Sequence, residues 1–316
     1  QLNIRVVGIT GSVGKTSTKE FIAAVLAEKY KVHKTAGNYN NEVGLPLTIF
    51  GIQDDDQIAV LEMGINTFGE MHRLSEVARP DICVMTNIGQ CHLENLIDRD
   101  GILRAKSEIF DFMNPEGTVI VNGDDDKLAT IHDVYGKAPI TFGMNKDNAI
   151  WADHIENRGL LGSRADIHMG DVLVHANIPL PGEHMIYNAM AAAAVGVQFD
   201  MTKEEITAGI SHVEAVAGRS HLIEGGEKVV IDDCYNANPV SMKAAIDLLA
   251  TAPGRKVAIL GDMFELGAEE EKLHYETGRY VAGCGLDQII CIGTLAKQYL
   301  AGITDVDPSA NVIWFA

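Results

Sequence analysis

The chain has 316 residues, a length that favours two domains, and 47% of them are apolar, which is enough for a sizeable core. Its 25 basic and 44 acidic side chains give a net charge of −19, which argues against a general nucleic-acid or anionic-membrane surface. No apolar run approaches the roughly 20 residues that span a bilayer, so membrane insertion is not expected. The five cysteines lack a C-x-x-C pair, which argues against a disulfide framework and favours a reducing compartment, the cytoplasm.

The first half of the chain alternates apolar strand patterns with helical patterns. Strands are predicted at residues 4–10, 58–63, 82–86 and 118–122. Helices are predicted at residues 17–28, 70–78 and 101–112. Strands separated by helices indicate right-handed crossovers, and hence an α/β fold with a mostly parallel, doubly wound sheet.

The pattern changes in the second half of the chain. Short alternating segments within residues 149–178 predict a small antiparallel addition to the sheet, and an alanine-rich helix follows at residues 188–197. After Gly218 a second alternation begins, with strands expected at residues 229–232, 256–260 and 288–292 and helices at 241–250 and 270–282. We therefore expect a larger domain at residues 1–218 and a smaller Rossmann-like α/β domain at residues 219–316.

A phosphate-binding loop is predicted between the first strand and the first helix, where residues 10–16 read TGSVGKT. Backbone N–H groups at a helix N-terminus attract phosphate oxygens. Lys15 can bridge the β- and γ-phosphates, and the Thr16 hydroxyl can bind Mg²⁺. Position 9 is Ile, so the spacing departs from G-x-x-x-x-G-K-[ST], and an ordinary glycine turn is the alternative. The expected phosphate contacts are Gly11, Ser12, Val13, Gly14, Lys15, Thr16 and Ser17.

Three further side chains are candidates for the same site. Glu62 ends an apolar strand, where a carboxylate is costly unless it is paired or bound, and Mg²⁺ beside a phosphate loop needs an acidic ligand. A solvated carboxylate at the strand end is the alternative. His92 follows another strand end, and Lys106 lies on a predicted helix. Taken alone, His92 is more often a surface or core histidine than a ligand, and Lys106 is more often an exposed helical lysine.

Taken together, the motifs resemble the Mur ligase family, most closely its D-alanyl-D-alanine-adding branch. The matching segments follow the family order across nearly the whole chain. They are residues 10–16, 37–46, 61–64, 86–94, 105–110, 182–192, 218–219, 232–239 and 260–267. The last two segments are the most specific to that branch.

This resemblance implies a metal site beside the phosphates. The family residues that match Glu62 and His92 hold Mg²⁺ ions, together with the hydroxyl that matches Thr16. The lysine that matches Lys106 is carbamylated in some members and then helps the second metal. Lys15, His92 and Lys106 are accordingly the implied catalytic residues.

The resemblance also implies contacts to the rest of the nucleotide and to the substrate. The residue that matches Asn188 contacts adenine, and those that match Arg219 and Asp233 reach the nucleotide from the C-terminal domain. We therefore expect domain closure with a gating motion at about residues 217–219. The implied substrate contacts are Asn40, Asn41 and Asn236.

The implied activity is that of an ATP- and Mg²⁺-dependent ligase of peptidoglycan precursor synthesis. It would join D-alanyl-D-alanine to UDP-N-acetylmuramoyl-tripeptide through an acyl phosphate, and we expect a monomer. Family members carry an additional N-terminal domain and a longer C-terminal domain, and this chain starts with Gln; we expect it to be part of a longer protein. The alternatives are a nucleotide-binding module without turnover, and another Mur or folylpolyglutamate synthetase-like ligase. A generic P-loop kinase or GTPase has no role for Glu62, His92 and Lys106.

Overall fold

A computed structural model describes residues 4–316; residues 1–3, which belong to the predicted first domain, lie outside this range. The strands of its largest sheet are β1 (Arg5–Thr10), β2 (Val32–Lys34), β3 (Ile58–Glu62), β4 (Ile82–Met85), β5 (Thr118–Asn122), β6 (Ile140–Gly143), β7 (Ile150–Asn157), β8 (Ser163–Met169) and β9 (Val172–Ile178). The helices around it are α1 (Lys15–Ala27), α2 (Gly44–Phe50), α3 (Glu70–Ala78), α4 (Leu93–Leu96), α5 (Arg99–Ser107), α6 (His184–Gln198) and α7 (Lys203–Ser211).

The strands of this sheet lie in the order β2-β3-β1-β4-β5-β6-β7-β8-β9. All pairs from β2 to β7 are parallel, and β7, β8 and β9 pair antiparallel. The predicted mostly parallel sheet with a small antiparallel addition is confirmed. The carboxyl ends of β1, β3 and β4 meet at one edge, where open α/β sheets bind ligands.

Both faces of the parallel part are buried. Ile58 and Val60 of β3 pack into a core shared with α1 and α6, whereas Ala59 and Leu61 pack into a core shared with α3 and α5. Burial on both faces explains why these strands are continuous apolar runs in the sequence and do not alternate with polar residues.

The remaining elements form a smaller α/β unit with its own core. They are β10 (His221–Gly225), β11 (Lys228–Asp232), α8 (Pro239–Thr251), β12 (Val257–Gly261), α9 (Glu270–Ala282), β13 (Gln288–Ile292), α10 (Lys297–Val306) and β14 (Val312–Phe315). β12, β13 and β14 form a parallel sheet. The predicted strand at 229–232 is present as β11, but it pairs with β10 in a separate antiparallel hairpin, because the turn after Gly225 folds the chain directly back.

Several helices differ in extent from the sequence prediction. α1 begins at Lys15, two residues before the predicted start, and α6 begins at His184, four residues before it. α5 ends at Ser107 and continues as a 3-10 turn, Glu108–Phe110. α2 and α7 were not predicted, although Thr202 and Glu205 form a capping box at the start of α7. Within residues 4–316, no helix is long and apolar enough to cross a membrane.

Candidate functional site

The carboxyl edge of the large sheet borders a cavity of about 660 Å³, a volume that suits a small-molecule ligand. The smaller unit supplies part of the wall. Two of the residues predicted for the site, Gly11 and Lys106, are not among the residues that line the cavity. The others line the cavity: Ser12, Val13, Gly14, Lys15, Thr16, Ser17, Asn40, Asn41, Glu62, His92, Asn188, Arg219, Asp233 and Asn236. Folding therefore brings together side chains that are more than two hundred positions apart in the sequence.

The glycine loop between β1 and α1 has a backbone that requires glycine. Gly11 has a φ of +149°, and a Cβ there would lie 1.9 Å from Oγ1 of Thr86. Gly14 precedes α1 with a φ of +83°, in the left-handed region that other residues rarely adopt. The first N–H to donate within the helix is that of Thr18, to the carbonyl oxygen of Gly14 at 2.8 Å. The preceding N–H groups of α1 therefore point out of the helix end, where an anion is favoured.

Two residues that the sequence did not single out hold this loop in place. The backbone carbonyl oxygen of Asn87 accepts a hydrogen bond from the Ser12 N–H, and its side-chain Oδ1 accepts one from the Val13 N–H, both at 2.9 Å. Its Nδ2 donates back to the carbonyl oxygen of Val13 at 2.9 Å, and Thr86 Oγ1 donates to the same oxygen at 2.7 Å. The N–H groups of Ser12 and Val13 are thus already used. The open donors of the loop lie further on, at the start of α1.

Two lysines bring positive charge to the loop. Lys15 Nζ donates to the carbonyl oxygens of Gly11 at 2.8 Å and Ser12 at 3.4 Å, which places the ammonium group over the loop. Lys106 is buried, with 1% of its surface exposed, so the interpretation as an exposed helical lysine is wrong. Burial, and then the charge of Lys15, lower the pKa of Lys106 to about 8.

Glu62 carries a buried carboxylate at the end of β3. Only 1% of the residue is exposed, which rules out the solvated alternative. Asn40 Nδ2 donates to Oε1 at 2.7 Å, whereas Oε2 has no hydrogen-bond partner in the described part of the chain. An ionised, buried oxygen without a donor is costly and favours a bound cation. With the Thr16 hydroxyl in the same cavity, the donors are the oxygens that Mg²⁺ prefers.

His92 faces a carboxylate that the sequence did not single out. Nδ1 of His92 lies 2.5 Å from Oε2 of Glu265, but the pair lacks hydrogen-bond geometry. Both residues have a positive φ, +52° and +61°, a backbone conformation that often marks functional sites. Burial, and then the charge of Lys106, lower the pKa of His92. The imidazole nitrogen is a poorer Mg²⁺ ligand than oxygen, and Glu265 brings a carboxylate oxygen to this side of the cavity.

Asn188 lies on α6 directly behind the phosphate loop. The residue is buried, and its Oδ1 accepts a hydrogen bond from Thr18 Oγ1 at 2.9 Å. His184, at the start of the same helix, also lines the cavity. Burial lowers the pKa of His184, which favours a neutral ring. This wall is therefore uncharged and suits the flat, weakly polar part of a ligand better than phosphates.

The smaller unit contributes an arginine and an aspartate on the opposite wall. The Arg219 guanidinium lies 4.0 Å from the ring centroid of Tyr235, a cation–π arrangement that orients it. Asp233 Oδ1 accepts the backbone N–H of Ser220 at 3.0 Å. Burial raises the pKa of Asp233 despite this hydrogen bond. Tyr235, which the sequence did not single out, thus fixes a predicted site residue.

The three predicted substrate residues have different surroundings. Asn40 lies deepest, against Glu62 and the backbone of Gly64. Asn41 Oδ1 accepts the backbone N–H groups of Val43 at 3.1 Å and of the first residue of α2 at 2.9 Å, so this side chain also stabilises the start of that helix. Asn236 is more exposed, and its Oδ1 accepts the next backbone N–H at 2.8 Å.

A parallel sheet with a glycine loop before α1 and a buried carboxylate on the neighbouring strand end defines a P-loop α/β protein. Comparison with protein families narrows this class. The Mur ligase middle domain matches residues 9–196, and the Mur ligase glutamate ligase domain matches residues 218–315. The chain belongs to the Mur ligase family, as its motifs predicted.

Individual relatives agree with this assignment. UDP-N-acetylmuramoyl-tripeptide--D-alanyl-D-alanine ligase of Bacillus subtilis is 39% identical over 307 residues, which are 96% of this chain and 65% of that protein. A crystal structure of MurF from Acinetobacter baumannii is 34% identical, with a TM-score of 0.92 over 99% of this chain and 67% of that one. MurF from Thermotoga maritima in complex with ADP is 27% identical, with a TM-score of 0.85 over 100% and 71%. The chain thus spans 65% of the length of the curated relative from B. subtilis.

Proposed function

We propose that this chain is the nucleotide-binding part of an ATP-dependent ligase that joins D-alanyl-D-alanine to a UDP-N-acetylmuramoyl-tripeptide. The observation that carries the proposal is the convergence of the glycine loop, the buried Glu62 carboxylate and Arg219 of the smaller unit on one cavity. Support for these two substrates comes from relatives whose names include both of them. Support for the nucleotide comes from the ADP complex of a similar structure. Because ATP and UDP-linked precursors are cytoplasmic, the proposed place of action is the cytoplasm.

We assign the phosphate contacts to the loop and the start of α1. The N–H groups from Gly14 onward are the open donors. Lys15 adds a positive charge, and phosphate oxygens can replace the loop carbonyl oxygens as acceptors of its hydrogen bonds. Gly11, Ser12 and Val13 shape the loop, and the hydroxyls of Thr16 and Ser17 face the same cavity. This arrangement suits a triphosphate better than a single phosphate, because the open N–H groups at the start of α1 and the Lys15 ammonium group over the loop offer more donors than one phosphate needs.

Glu62, Thr16 and His92 are the proposed Mg²⁺ ligands, and a bound Mg²⁺ would supply charge neutralisation at the phosphates. The residues of the chain do the rest. Lys15 stabilises the charge that develops as the peptide carboxylate attacks the γ-phosphorus and ADP leaves. The amine then attacks the acyl carbon, the amide bond forms, and inorganic phosphate and a proton are released. Asn40 and Glu265 lie where they can orient the substrates, and Lys106 stays a candidate catalytic residue.

We further propose that the chain has two domains, residues 1–218 and 219–316, which close over the nucleotide. Support comes from the separate family matches, which end at residue 196 and begin at residue 218, and from the separate core of the smaller unit. Asn188 on the larger domain would contact adenine, and Arg219 and Asp233 would approach from the smaller one. Asn41 and Asn236 remain proposed substrate contacts at the mouth.

The test is a calorimetric titration with a non-hydrolysable ATP analogue and Mg²⁺, run beside a ligation assay. We expect Lys15→Met to weaken binding at least about tenfold, because it removes a charge-assisted contact of about 1.5–3 kcal/mol. Lys29→Met, an exposed lysine just beyond α1, is the matched control and should bind like the unmodified chain. Phosphate release that requires D-alanyl-D-alanine and not glutamate supports the proposed ligase. Binding without product supports a nucleotide-binding module, and absence of binding refutes both.

A further inference from the structure

A cluster of histidines and aspartates lies on the antiparallel addition, outside the lining of the cavity. It consists of Asp153 and His154 on β7, Asp166 and His168 on β8, and His175 on β9, and we call it the β7–β9 cluster. Asp153 pairs with Asp166 in register, and Asp166 pairs with His175. Side chains in register on neighbouring strands share one face of a sheet, so these three residues form a row on the side that faces solvent.

An irregularity in β7 adds His154 to this row. Strand alternation would send residue 154 to the opposite face from residue 153. The register shifts between Asp153 and Glu156, however, and His154 has a φ of +47°. Bulges of this kind re-aim side chains. As a result, Nδ1 of His154 lies 3.3 Å from Oδ1 of Asp153 and 3.1 Å from Oδ2 of Asp166.

The other two histidines each contact one carboxylate. His175 Nδ1 lies 2.6 Å from Asp166 Oδ1, and His168 Nε2 lies 2.9 Å from Asp153 Oδ1. Asp153 and Asp166 lie directly opposite each other in the sheet, and two carboxylates in such a pair repel each other. A cation bound between them would relieve this repulsion.

We propose that the β7–β9 cluster binds one Zn²⁺ ion through Asp153, His154, Asp166 and His175. The ligand atoms of the first three already lie within 4.8 Å of one another. Tetrahedral Zn²⁺ with bonds of about 2.0–2.2 Å holds its ligands roughly 3.3–3.6 Å apart, so small side-chain rotations would admit the ion. Two imidazoles and two carboxylates match the preference of Zn²⁺ and not that of Mg²⁺, which takes oxygen ligands.

His168 is a positioning residue for this site. Its ring stacks on Trp151 with a centroid distance of 3.7 Å and an angle of 4°, while its Nε2 contacts the Asp153 carboxylate. A metal-bound carboxylate is commonly oriented by such an outer hydrogen bond. The stacking also gives a spectroscopic probe. Trp151 contacts His168, and His168 contacts the proposed ligand Asp153. Trp314 is the only other tryptophan of the chain.

A bound ion would join β7, β8 and β9 across their exposed face. Because a ligand that binds only the folded state stabilises it, Zn²⁺ should raise the melting temperature of the chain. The site lies apart from the proposed nucleotide cavity, so this effect should persist in the Lys15→Met variant. Failure of the ligation assay would therefore leave the Zn²⁺ site untouched, and absence of Zn²⁺ binding would leave the proposed ligase untouched.

The experiment is a calorimetric titration of Zn²⁺ into the chain at slightly alkaline pH. Excess Mg²⁺ is present so that the proposed Mg²⁺ site at Glu62 is already occupied. We expect one Zn²⁺ per chain, and at least about tenfold weaker binding in Asp166→Asn and His175→Gln. His175 is 75% exposed in its side chain, so the second variant does not endanger folding. Trp151 fluorescence in a Trp314→Phe background should change along the same binding curve.

His212→Ala is the matched control. His212 is also an exposed histidine on a carboxylate, 2.7 Å from Glu28 Oε1, but it lies outside the β7–β9 cluster. Its loss should leave the Zn²⁺ affinity unchanged. The proposal is overturned if the unmodified chain shows no Zn²⁺ binding, if Asp166→Asn and His175→Gln bind as tightly as the unmodified chain, or if His212→Ala weakens binding equally.

Discussion

Asn87 and Val13 are joined by two hydrogen bonds of 2.9 Å, one from the Val13 N–H to Oδ1 and one from Nδ2 to the Val13 carbonyl oxygen. The side chain of Asn87, which follows β4, thus bonds both backbone polar groups of a residue in the glycine loop after β1. A loop with two glycines loses much conformational entropy when it is ordered. These two bonds offset part of that cost and hold the loop in one shape.

Asn87→Ala should therefore destabilise the chain and weaken nucleotide binding together. It leaves the partly buried N–H of Val13 without its partner, at a cost of about 1–3 kcal/mol, and leaves the Val13 carbonyl oxygen with the Thr86 hydroxyl as its remaining donor. Urea denaturation measures the loss of unfolding free energy, and calorimetry with the ATP analogue measures the loss of affinity. Asn177→Ala, an exposed asparagine on β9, should change neither. Equal behaviour of the two variants would contradict the scaffold role of Asn87.

Glu62 should show a trade-off between stability and Mg²⁺ binding. Glu62→Gln keeps the contact with Asn40 through its amide oxygen but removes a buried charge whose second oxygen is unpaired. In the presence of EDTA, we expect the variant to melt at a higher temperature than the unmodified chain. Mg²⁺ should raise the melting temperature of the unmodified chain and leave that of the variant unchanged. A Mg²⁺-dependent shift that survives in Glu62→Gln would exclude this carboxylate as the metal ligand.

Much of the fold was predictable because the strands of a doubly covered sheet are continuous apolar runs. β1, β3, β4 and β5 were identified for that reason, and Cys83 and Cys291, which lie in such runs, are fully buried. Where a segment has no such signal, the prediction failed. α2 contains a glycine and a proline in the sequence GLPLTIF, and its start depends on the Asn41 side chain, which no periodicity reveals.

The site was predictable where a motif carries its own chemistry, and less so where tertiary contacts define it. Lys15 and Thr16 follow from a local pattern. Burial of Lys106 and the unpaired oxygen of Glu62 depend on packing between distant segments, so the sequence left exposed alternatives open for both. Glu265 lies in a recognised motif, but its contact with His92 arises only when the smaller unit packs against the larger one.

Glu20 on α1 should make stability depend on acid pH. Burial acts to raise the pKa of Glu20, but hydrogen bonds from Lys34 and Lys19 outweigh it and hold that pKa below its usual value. A lowered folded-state pKa means that the stabilisation is complete above the unfolded value of about 4.3. It is lost as pH falls through the folded value.

The measurement is urea denaturation of the unmodified chain and Glu20→Gln across this range. We expect a constant stability difference from neutral pH down to about 5, which then closes as the solution becomes more acidic. Glu227→Gln serves as the control, because Glu227 is exposed in the turn after β10 and forms no ion pair within residues 4–316. A difference between unmodified chain and Glu20→Gln that stays constant into strong acid would show that Glu20 does not act through its charge.

The connection at residues 217–219 should act as the hinge of domain closure. Gly218 has a φ of +74°, and a Cβ there would lie 3.2 Å from that of Tyr235, so the chain bends tightly at this point. Its N–H donates to Asp232 Oδ2 at 3.0 Å, which ties the bend to the end of β11 in the smaller unit. Arg219 and Asp233 follow directly and would move with it toward the phosphates bound by the loop.

Small-angle X-ray scattering with and without the ATP analogue and Mg²⁺ tests this motion. We expect the radius of gyration and the maximum dimension to decrease on binding, because Arg219 and Asp233 gain contacts to the nucleotide only when the two walls approach. Lys15→Met should show a smaller decrease at an analogue concentration that just saturates the unmodified chain, since it lacks a charge that holds the phosphates. An identical scattering profile for the free and the saturated unmodified chain would mean that the cavity binds its ligand without closure. Arg219 would then be positioned from the outset by its stacking on Tyr235.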